Sequence, residues 1–276
     1  DFLNTAKDGK TSMITKMTSL DIHKPVQIGD VIEGRLWMES LKGQKKSTMN
    51  MFYEWHVINR GKVYKVADCR QDTIWVKLDH TGKAEIDEYP SYLKKFVNLM
   101  EPRTTRERLS DRKDKPFNAY SGDELDILGP HLPNKYKVHQ KLITATLENS
   151  NLLSNIYFAS YAKWIGQLSD EYFYKCLPDF YSDYSGRKEI FCSHCSIDYT
   201  NECFPFDQIL IEMFIDRVFE KGIELHFEFY KIKNDTKAQK LAYGKQQILF
   251  VSILNNETTA LKTPDGLTKL IEGLRA

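Results

Sequence analysis

An internal repeat constrains the fold of this 276-residue chain more than any other feature. Residues 19–30, SLDIHKPVQIGD, align without gaps over residues 196–207, SIDYTNECFPFD. After each segment comes an alternating apolar stretch, then two long strand-like segments joined by a charged or Gly-containing turn, as in a β-hairpin. The positions that coincide are Ser19 with Ser196, Asp21 with Asp198, and Asp30 with Asp207. The sequence therefore predicts two copies of one α+β unit.

The two copies differ in what precedes the repeated segment. The second copy has a strand-like stretch at 141–147, then Asn- and Ser-rich turn residues. From Phe158 onward, Tyr161, Ile165, Leu168 and Tyr172 fall at helical spacing, which predicts a long helix that buries one face against a sheet. The first copy has only eighteen residues before its repeated segment. We therefore expect the counterpart of the turn that leads into the helix to lie upstream of this fragment or to have been lost altogether.

These differences define the expected domain organisation. We expect a first repeat at 1–100 that is truncated at its front, and a second repeat at 139–276. Residues 101–138 are charged and rich in Pro, Gly and Asp, which is typical of a linker. Because the chain begins with Asp1, we interpret it as a domain or fragment of a longer protein.

Composition excludes several classes of function. A net charge of +1 argues against nucleic acid or an anionic membrane as the main partner, and no apolar run approaches the ~18 residues of a membrane span. Five cysteines without a secretory signal favour reduced thiols and a cytoplasmic location. Cys192 and Cys195 have zinc-like spacing, but strand-like alternation predicts that they lie on opposite faces. We expect no metal site.

One stretch of the second copy carries a specific resemblance. Residues 151–158 read NLLSNIYF, and residues 161–166 read YAKWIG. Together they resemble the hotdog-fold thioesterases of the acyl-CoA and acyl-carrier-protein type, in particular the branch associated with enediyne polyketide synthases. The resemblance covers residues 141–256 well and residues 19–97 as a degenerate copy. It implies an antiparallel sheet wrapped around a long helix, and two such units imply a double hotdog.

The resemblance also implies a function and partners. We expect hydrolysis of an acyl or polyketide thioester carried by acyl carrier protein or by CoA, within a polyketide or fatty-acid synthase system. The enzyme would need no cofactor of its own, because the phosphopantetheine belongs to the substrate. Other synthase domains are expected partners, and a homodimer is one expected assembly.

The expected catalytic chemistry centres on the start of the predicted helix. Backbone N–H groups at a helix N-terminus can hold the oxyanion of a reacting carbonyl. Hotdog thioesterases often carry Asp where this chain has Asn151 and Glu where it has Gly166, and the enediyne branch carries Arg where it has Ser169. We expect Asn151 to orient the attacking water. The candidate catalytic residues are Asn151, Asn155, Ser169 and Asp170.

Aromatic side chains are abundant in the same region. The chain contains 15 Phe and 15 Tyr residues, and an acyl channel would need such walls. The aromatic residues equally suit the space between a helix and a sheet. The candidate substrate-binding residues are Tyr157, Phe158, Tyr161 and Trp164.

Two other functions are compatible with the sequence. A double-hotdog dehydratase uses a His from one repeat and an Asp from the other, and the first copy contains His23 and His56. Neither histidine lies in the His-x-x-x-Gly-x-x-x-x-Pro context of those enzymes. A non-catalytic acyl-binding module would tolerate the missing Asp, Glu and Arg.

Overall fold

A computed structural model describes residues 11–38, 47–59, 61–78, 84–99, 136–150, 155–182, 188–254 and 257–275. The chain forms two compact units, residues 1–117 and residues 118–276. The predicted linker lies outside the described residues as far as residue 135. Residues 136–138, the end of the predicted linker, instead begin a strand of the second unit, in which Tyr136 and Lys137 pair with Ile215 and Phe214.

The elements of the first unit are strands β1 (Thr11–Ile22), β2 (Val31–Met38), β3 (Thr48–Asn59), β4 (Lys62–Leu78) and β5 (Ala84–Ile86) and helix α1 (Ser91–Leu99). Its antiparallel sheet has the order β2-β3-β4-β1, with β5 paired to β4. A small core forms around Trp75 and Tyr89, whose ring centroids lie 5.4 Å apart. Leu93 of α1 packs against this core.

The second unit begins with strand β6 (Tyr136–Thr144), a 3-10 turn (Leu147–Asn149) and helices α2 (Phe158–Cys176) and α3 (Pro178–Ser182). It continues with strands β7 (Lys188–Tyr199), β8 (Gln208–Phe219), β9 (Gly222–Lys233), β10 (Thr236–Leu254) and β11 (Glu257–Ala260) and helix α4 (Asp265–Arg275). Its antiparallel sheet has the order β7-β10-β9-β8-β6, with β11 on β10. The predicted long helix is confirmed.

The core of the second unit lies between α2 and one face of this sheet. The buried face of α2 carries Tyr161, Trp164, Ile165, Leu168, Tyr172 and Phe173, at intervals of three or four residues. The strands contribute alternate residues, as a half-buried sheet requires. One row across four strands consists of Met213, Phe227, Gly244 and Ile197, each directly opposite the next.

Gly244 sets the distance between α2 and the sheet. A β-carbon at Gly244 would lie 2.8 Å from Cδ1 of Ile165 and 3.4 Å from the Ser196 carbonyl oxygen. The distance to Ile165 is shorter than β-carbons normally show, so a side chain at position 244 would force the end of the Ile165 side chain to move.

The sequence repeat corresponds to a repeated turn. In the first unit Oδ2 of Asp30 accepts a hydrogen bond from the Gln27 N–H at 2.9 Å, and in the second Oδ2 of Asp207 accepts one from the Phe204 N–H at 2.9 Å. The residue before each Asp has a positive φ, 96° at Gly29 and 71° at Phe206. The four long strands that surround the turn also have the same order in each unit, β2-β3-β4-β1 and β8-β9-β10-β7.

A β-bulge in β7 changes the environment of two cysteines. Along the β7–β10 pair, His194 lies opposite Gln247 and Cys192 opposite Ile248, which leaves Ser193 as an extra residue. The extra residue reverses the alternation, so Cys192 and Cys195 both pack against the core. The prediction that they lie on opposite faces is therefore wrong.

All five cysteines are free thiols. The part of the chain that the structure describes contains no cluster of three or more His, Cys, Asp or Glu residues suited to a metal ion. None of its helices is both long and apolar enough to cross a bilayer.

Candidate active site at the start of the long helix

The chain closes a polar loop immediately before α2. The carbonyl oxygen of Asn149 accepts hydrogen bonds from the Tyr157 N–H at 2.7 Å and the Ser160 hydroxyl at 3.2 Å. Ser150 and Ile156 form an isolated antiparallel bridge. The loop ends are therefore held together. Residues 151–154 lie outside the described residues, and Asn151, the predicted water-orienting residue, is among them.

The Asn149 side chain fixes the other side of this loop. Its Oδ1 accepts hydrogen bonds from the Thr146 N–H and the Thr146 hydroxyl, each at 2.9 Å. These local contacts explain the Asn- and Ser-rich composition of the segment, because short polar side chains bond readily to nearby backbone.

A second set of contacts ties the loop to the segment between β7 and β8. The Ile156 N–H donates to the Cys203 carbonyl oxygen at 2.8 Å. Next to it, Nδ2 of Asn155 donates to Oε2 of Glu202 at 2.7 Å. Oδ1 of Asn155 is buried and has no hydrogen-bond partner among the described residues. An amide and a carboxylate thus lie side by side at the entry to α2.

The four predicted substrate-binding residues have two different environments. Tyr157 is 46% exposed, and its ring centroid lies 4.5 Å from that of the half-buried Phe158. Tyr161 and Trp164 are instead buried in the core, with ring centroids 5.2 Å apart. Only Tyr157 and Phe158 therefore lie where a ligand at the helix start would meet them.

The Tyr161 hydroxyl remains protonated at neutral pH. Burial raises the pKa of this phenol well above its usual value, and the neighbouring Cys203, Tyr199 and Glu202 add to the shift. Nearby, the Tyr199 hydroxyl donates to the Phe158 carbonyl oxygen at 3.0 Å. Tyr161 and Tyr199 meet edge to face, with centroids 5.3 Å apart.

The structure does not bring Ser169 and Asp170 to the polar loop. They lie three turns along α2, about 16 Å from Phe158 at the rise of an α-helix. Ser169 faces the sheet, where its hydroxyl donates to Oε1 of Gln246 at 2.7 Å. Asp170 is exposed, and Tyr181 donates to it at 3.4 Å. Burial raises the pKa of Asp170, and the Tyr181 hydrogen bond opposes that shift.

Glu202 is a candidate functional residue that the sequence reasoning missed. It lies in the repeated segment, where the first copy has Pro25 at the equivalent position. The repeat contained a signal for it, because the second copy carries a carboxylate where the first copy carries a proline. Asp207, in the same segment, serves the turn and forms an ion pair with Lys231 at 2.7 Å.

The two histidines of the first unit belong to a cluster of charged residues. Nε2 of His23 lies 2.6 Å from Oδ2 of Asp68, and Nε2 of His56 lies 3.6 Å from a Glu54 oxygen. Lys65 lies 3.2 Å from Asp68. Burial raises the pKa of Asp68, but the His23 hydrogen bond and the Lys65 charge outweigh it, so the pKa is lowered overall.

Comparison with known proteins adds the fold class. No protein-family model matches the chain, and no curated protein matches its sequence. Several solved structures do match. The 12:0-ACP thioesterase from Umbellularia californica is 9% identical with a TM-score of 0.59, and the match covers 90% of this chain and 76% of that one. A putative oleoyl thioesterase from Lactobacillus plantarum is 10% identical with a TM-score of 0.53, covering 89% and 79%.

A third match is shorter. The dynemicin thioesterase, in structures that describe polyene binding, is 20% identical with a TM-score of 0.45, and the match covers 51% of this chain and 96% of that one. The two longer matches show that the chain has the hotdog fold of thioesterase structures. The resemblance predicted from residues 151–166 is thereby confirmed for the fold.

Proposed function

We propose that this chain hydrolyses acyl thioesters carried by acyl carrier protein or by CoA, as a cytoplasmic domain of a polyketide or fatty-acid synthase system. One observation carries the proposal: a polar loop with a paired amide and carboxylate adjoins the N-terminus of the long helix in a hotdog fold. Thioester hydrolysis needs an oxyanion site, a placed water and an exit for the thiol, and in this proposal the helix start and the polar loop would supply the first two.

We further propose that the two units are two α+β hotdog repeats, which makes the chain a double hotdog. The common strand order and the common Asp turn support this proposal. The expected homodimer and the neighbouring synthase domains remain part of the proposal.

In the proposed reaction the substrate carbonyl oxygen points at the first turn of α2. The N–H groups of a first helical turn have no partners within the helix, and they carry the positive end of its dipole. The Tyr157 N–H already bonds to Asn149, so the amides that follow it, at Phe158 and Ala159, would hold the oxyanion. Asn151 would orient the water, and Tyr157 and Phe158 would contact the acyl group. The phosphopantetheine arrives with the substrate.

The proposal is tested by incubating the chain with acylated carrier protein and with the matching acyl-CoA. Intact-mass measurement of the carrier and detection of released thiol should both show hydrolysis. Equal rates on acylated carrier protein and on acyl-CoA would contradict the proposed role as a domain of a synthase system. Loss of one water from a β-hydroxyacyl carrier would instead identify a dehydratase, and binding without turnover would identify an acyl-binding module.

A further inference from the structure

We infer that Glu202 is the general base of the reaction and that Asn155 holds its carboxylate in place; this inference rests on the proposed function. A carboxylate within hydrogen-bond reach of a water can take the proton as that water attacks a carbonyl. The chain lacks the Asp and the Glu that related enzymes often use, at Asn151 and Gly166. Glu202 lies near the N-terminal end of α2 and belongs to the segment between β7 and β8.

Three contacts fix the position of Glu202. Its neighbour Cys203 accepts the Ile156 N–H at 2.8 Å, and its own Oε2 accepts Nδ2 of Asn155 at 2.7 Å. Ile156 in turn bridges to Ser150 across the loop. Asn155 lies three residues before the first residue of α2, so the carboxylate is anchored at the helix start. Glu202 is partly exposed, which leaves it accessible to water and substrate.

The Asn155 side chain is committed to its contact with Glu202. A carboxylate only accepts hydrogen bonds, so the amide nitrogen of Asn155 must face Glu202. Oδ1 of Asn155 then lies buried without a donor among the described residues. Buried polar atoms in folded proteins are normally satisfied by protein or by ordered water. Leaving Asn155 Oδ1 unpaired costs stability, so Asn155 keeps its contact with Glu202 at the expense of the fold.

The other carboxylates near the loop are less suitable. Asp207 already accepts the Phe204 N–H and pairs with Lys231 at 2.7 Å. Glu148 has a side chain that is 81% exposed and lies 3.6 Å from Lys163. Among the described residues, no lysine or arginine forms an ion pair with Glu202, so its carboxylate is not neutralised by a fixed cation.

The proposed hydrolysis proceeds through a tetrahedral intermediate. Glu202 takes one proton from the water, and the oxygen electron pair forms a bond to the thioester carbonyl carbon. The carbonyl π electrons move to oxygen, which the first-turn amides of α2 stabilise. The tetrahedral intermediate then expels the thiolate by breaking the C–S bond, and the thiolate takes the proton from Glu202. The products are the free carboxylic acid and the thiol, and Glu202 returns to its starting state.

The test compares Glu202→Gln with Glu148→Gln on acylated carrier protein. Gln can still accept the Asn155 hydrogen bond but cannot take a proton at neutral pH, so kcat should fall by about 10²–10⁴-fold. The KM should change little, and the acid limb of the pH–rate profile should disappear. Glu148→Gln removes an exposed carboxylate of the same region and should leave kcat within about twofold of wild type, because general acid–base catalysis needs direct contact.

Chemical rescue provides a second readout. Added formate should restore part of the activity of Glu202→Ala, because a small carboxylate can occupy the vacated space; a purely structural role predicts no rescue. Normal turnover by Glu202→Gln overturns the inference while the proposed function stands. A damaged Glu202→Gln together with an unrescued Glu202→Ala also overturns it. A wild-type chain that hydrolyses no thioester overturns the proposed function, and this inference with it.

Discussion

Position 206 holds a phenylalanine in a backbone conformation that favours glycine. Its φ is 71°, and its side chain is 71% exposed, so little burial compensates for the strain. The equivalent residue in the first unit is Gly29, with a φ of 96°. We expect Phe206→Gly to increase the free energy of unfolding by about 1 kcal/mol. Gly29→Ala should decrease the free energy of unfolding by a similar amount. Chemical denaturation of both variants measures these two changes.

A loss of stability in Phe206→Gly would contradict the strain argument. It would mean that the exposed ring makes a stabilising contact that outweighs the backbone cost. Activity measured on the same variant separates strain from a role for the ring in substrate contact.

Glu228 gives a prediction about pH. Burial raises the pKa of this carboxyl, but hydrogen bonds from Tyr230, Lys240 and His226 outweigh it and lower the pKa to about 2. An unfolded glutamate has a pKa of about 4.3. Because the folded value is the lower one, the ionised carboxylate stabilises the fold above that pH, and this contribution is lost as pH falls toward 2. Glu228→Gln should therefore unfold at a lower denaturant concentration near pH 7, with the difference from wild type shrinking by about pH 3.

Glu224, on the same strand, should behave in the opposite way. Burial raises its pKa, despite the opposing charges of Lys245 and Arg217, so ionisation at neutral pH costs stability. Glu224→Gln should be at least as stable as wild type near pH 7.

The Glu228 prediction would be contradicted if the stability difference between Glu228→Gln and wild type were the same at every pH. The hydrogen bonds of Glu228 would then not depend on its charge.

At the scale of elements, the contact between Gly244 and Ile165 can be tested by compensation. Gly244→Ala places a methyl against Cδ1 of Ile165 and should cost about 1–3 kcal/mol of unfolding free energy. Ile165→Val removes that Cδ1 and alone should cost about 0.5–1.5 kcal/mol. The double variant should be more stable than the sum of the two changes predicts, which a double-mutant cycle measures.

Gly166, in the same helix, is the matched control. A β-carbon there would meet nothing within 4 Å, so Gly166→Ala should stabilise α2 by about 0.5–1 kcal/mol. If the effects of Gly244→Ala and Ile165→Val on unfolding free energy were additive, this would contradict a direct contact between these two positions.

The sequence predicted the long helix but not the β-bulge, and each outcome has a physical reason. The apolar positions from Phe158 to Tyr172 gave the long helix because burial on one face imposes helical spacing. The bulge at Ser193 could not be read, because a single extra residue leaves no mark in an alternating strand. Glu202 is marked in the sequence only as a difference between the two copies, and its contact with Asn155, 47 residues away along the chain, depends on tertiary structure.

At the scale of the whole chain, the predicted linker can be tested by proteolysis. Residues 103–115 contain many arginines and lysines, and the boundary between the two compact units falls just after them. Brief trypsin treatment should cut first within this basic segment, since polar linkers are preferred sites of nicking. Mass spectrometry of the early fragments identifies the cut. First cuts within β1–β4 or β7–β10 would contradict the assignment of 101–138 as a linker.

The turn shared by the two units also bears on ancestry. A hydrogen bond from an N–H three residues upstream to an Asp, with a positive φ in between, survives in both units although few of the surrounding residues match. If the two units are the hotdog repeats proposed above, a gene duplication would leave such a record, because backbone geometry is retained while side chains diverge. Gly29 is conformationally relaxed at this point of the turn, whereas Phe206 is strained at the equivalent point. The same turn is then maintained at two different costs in stability.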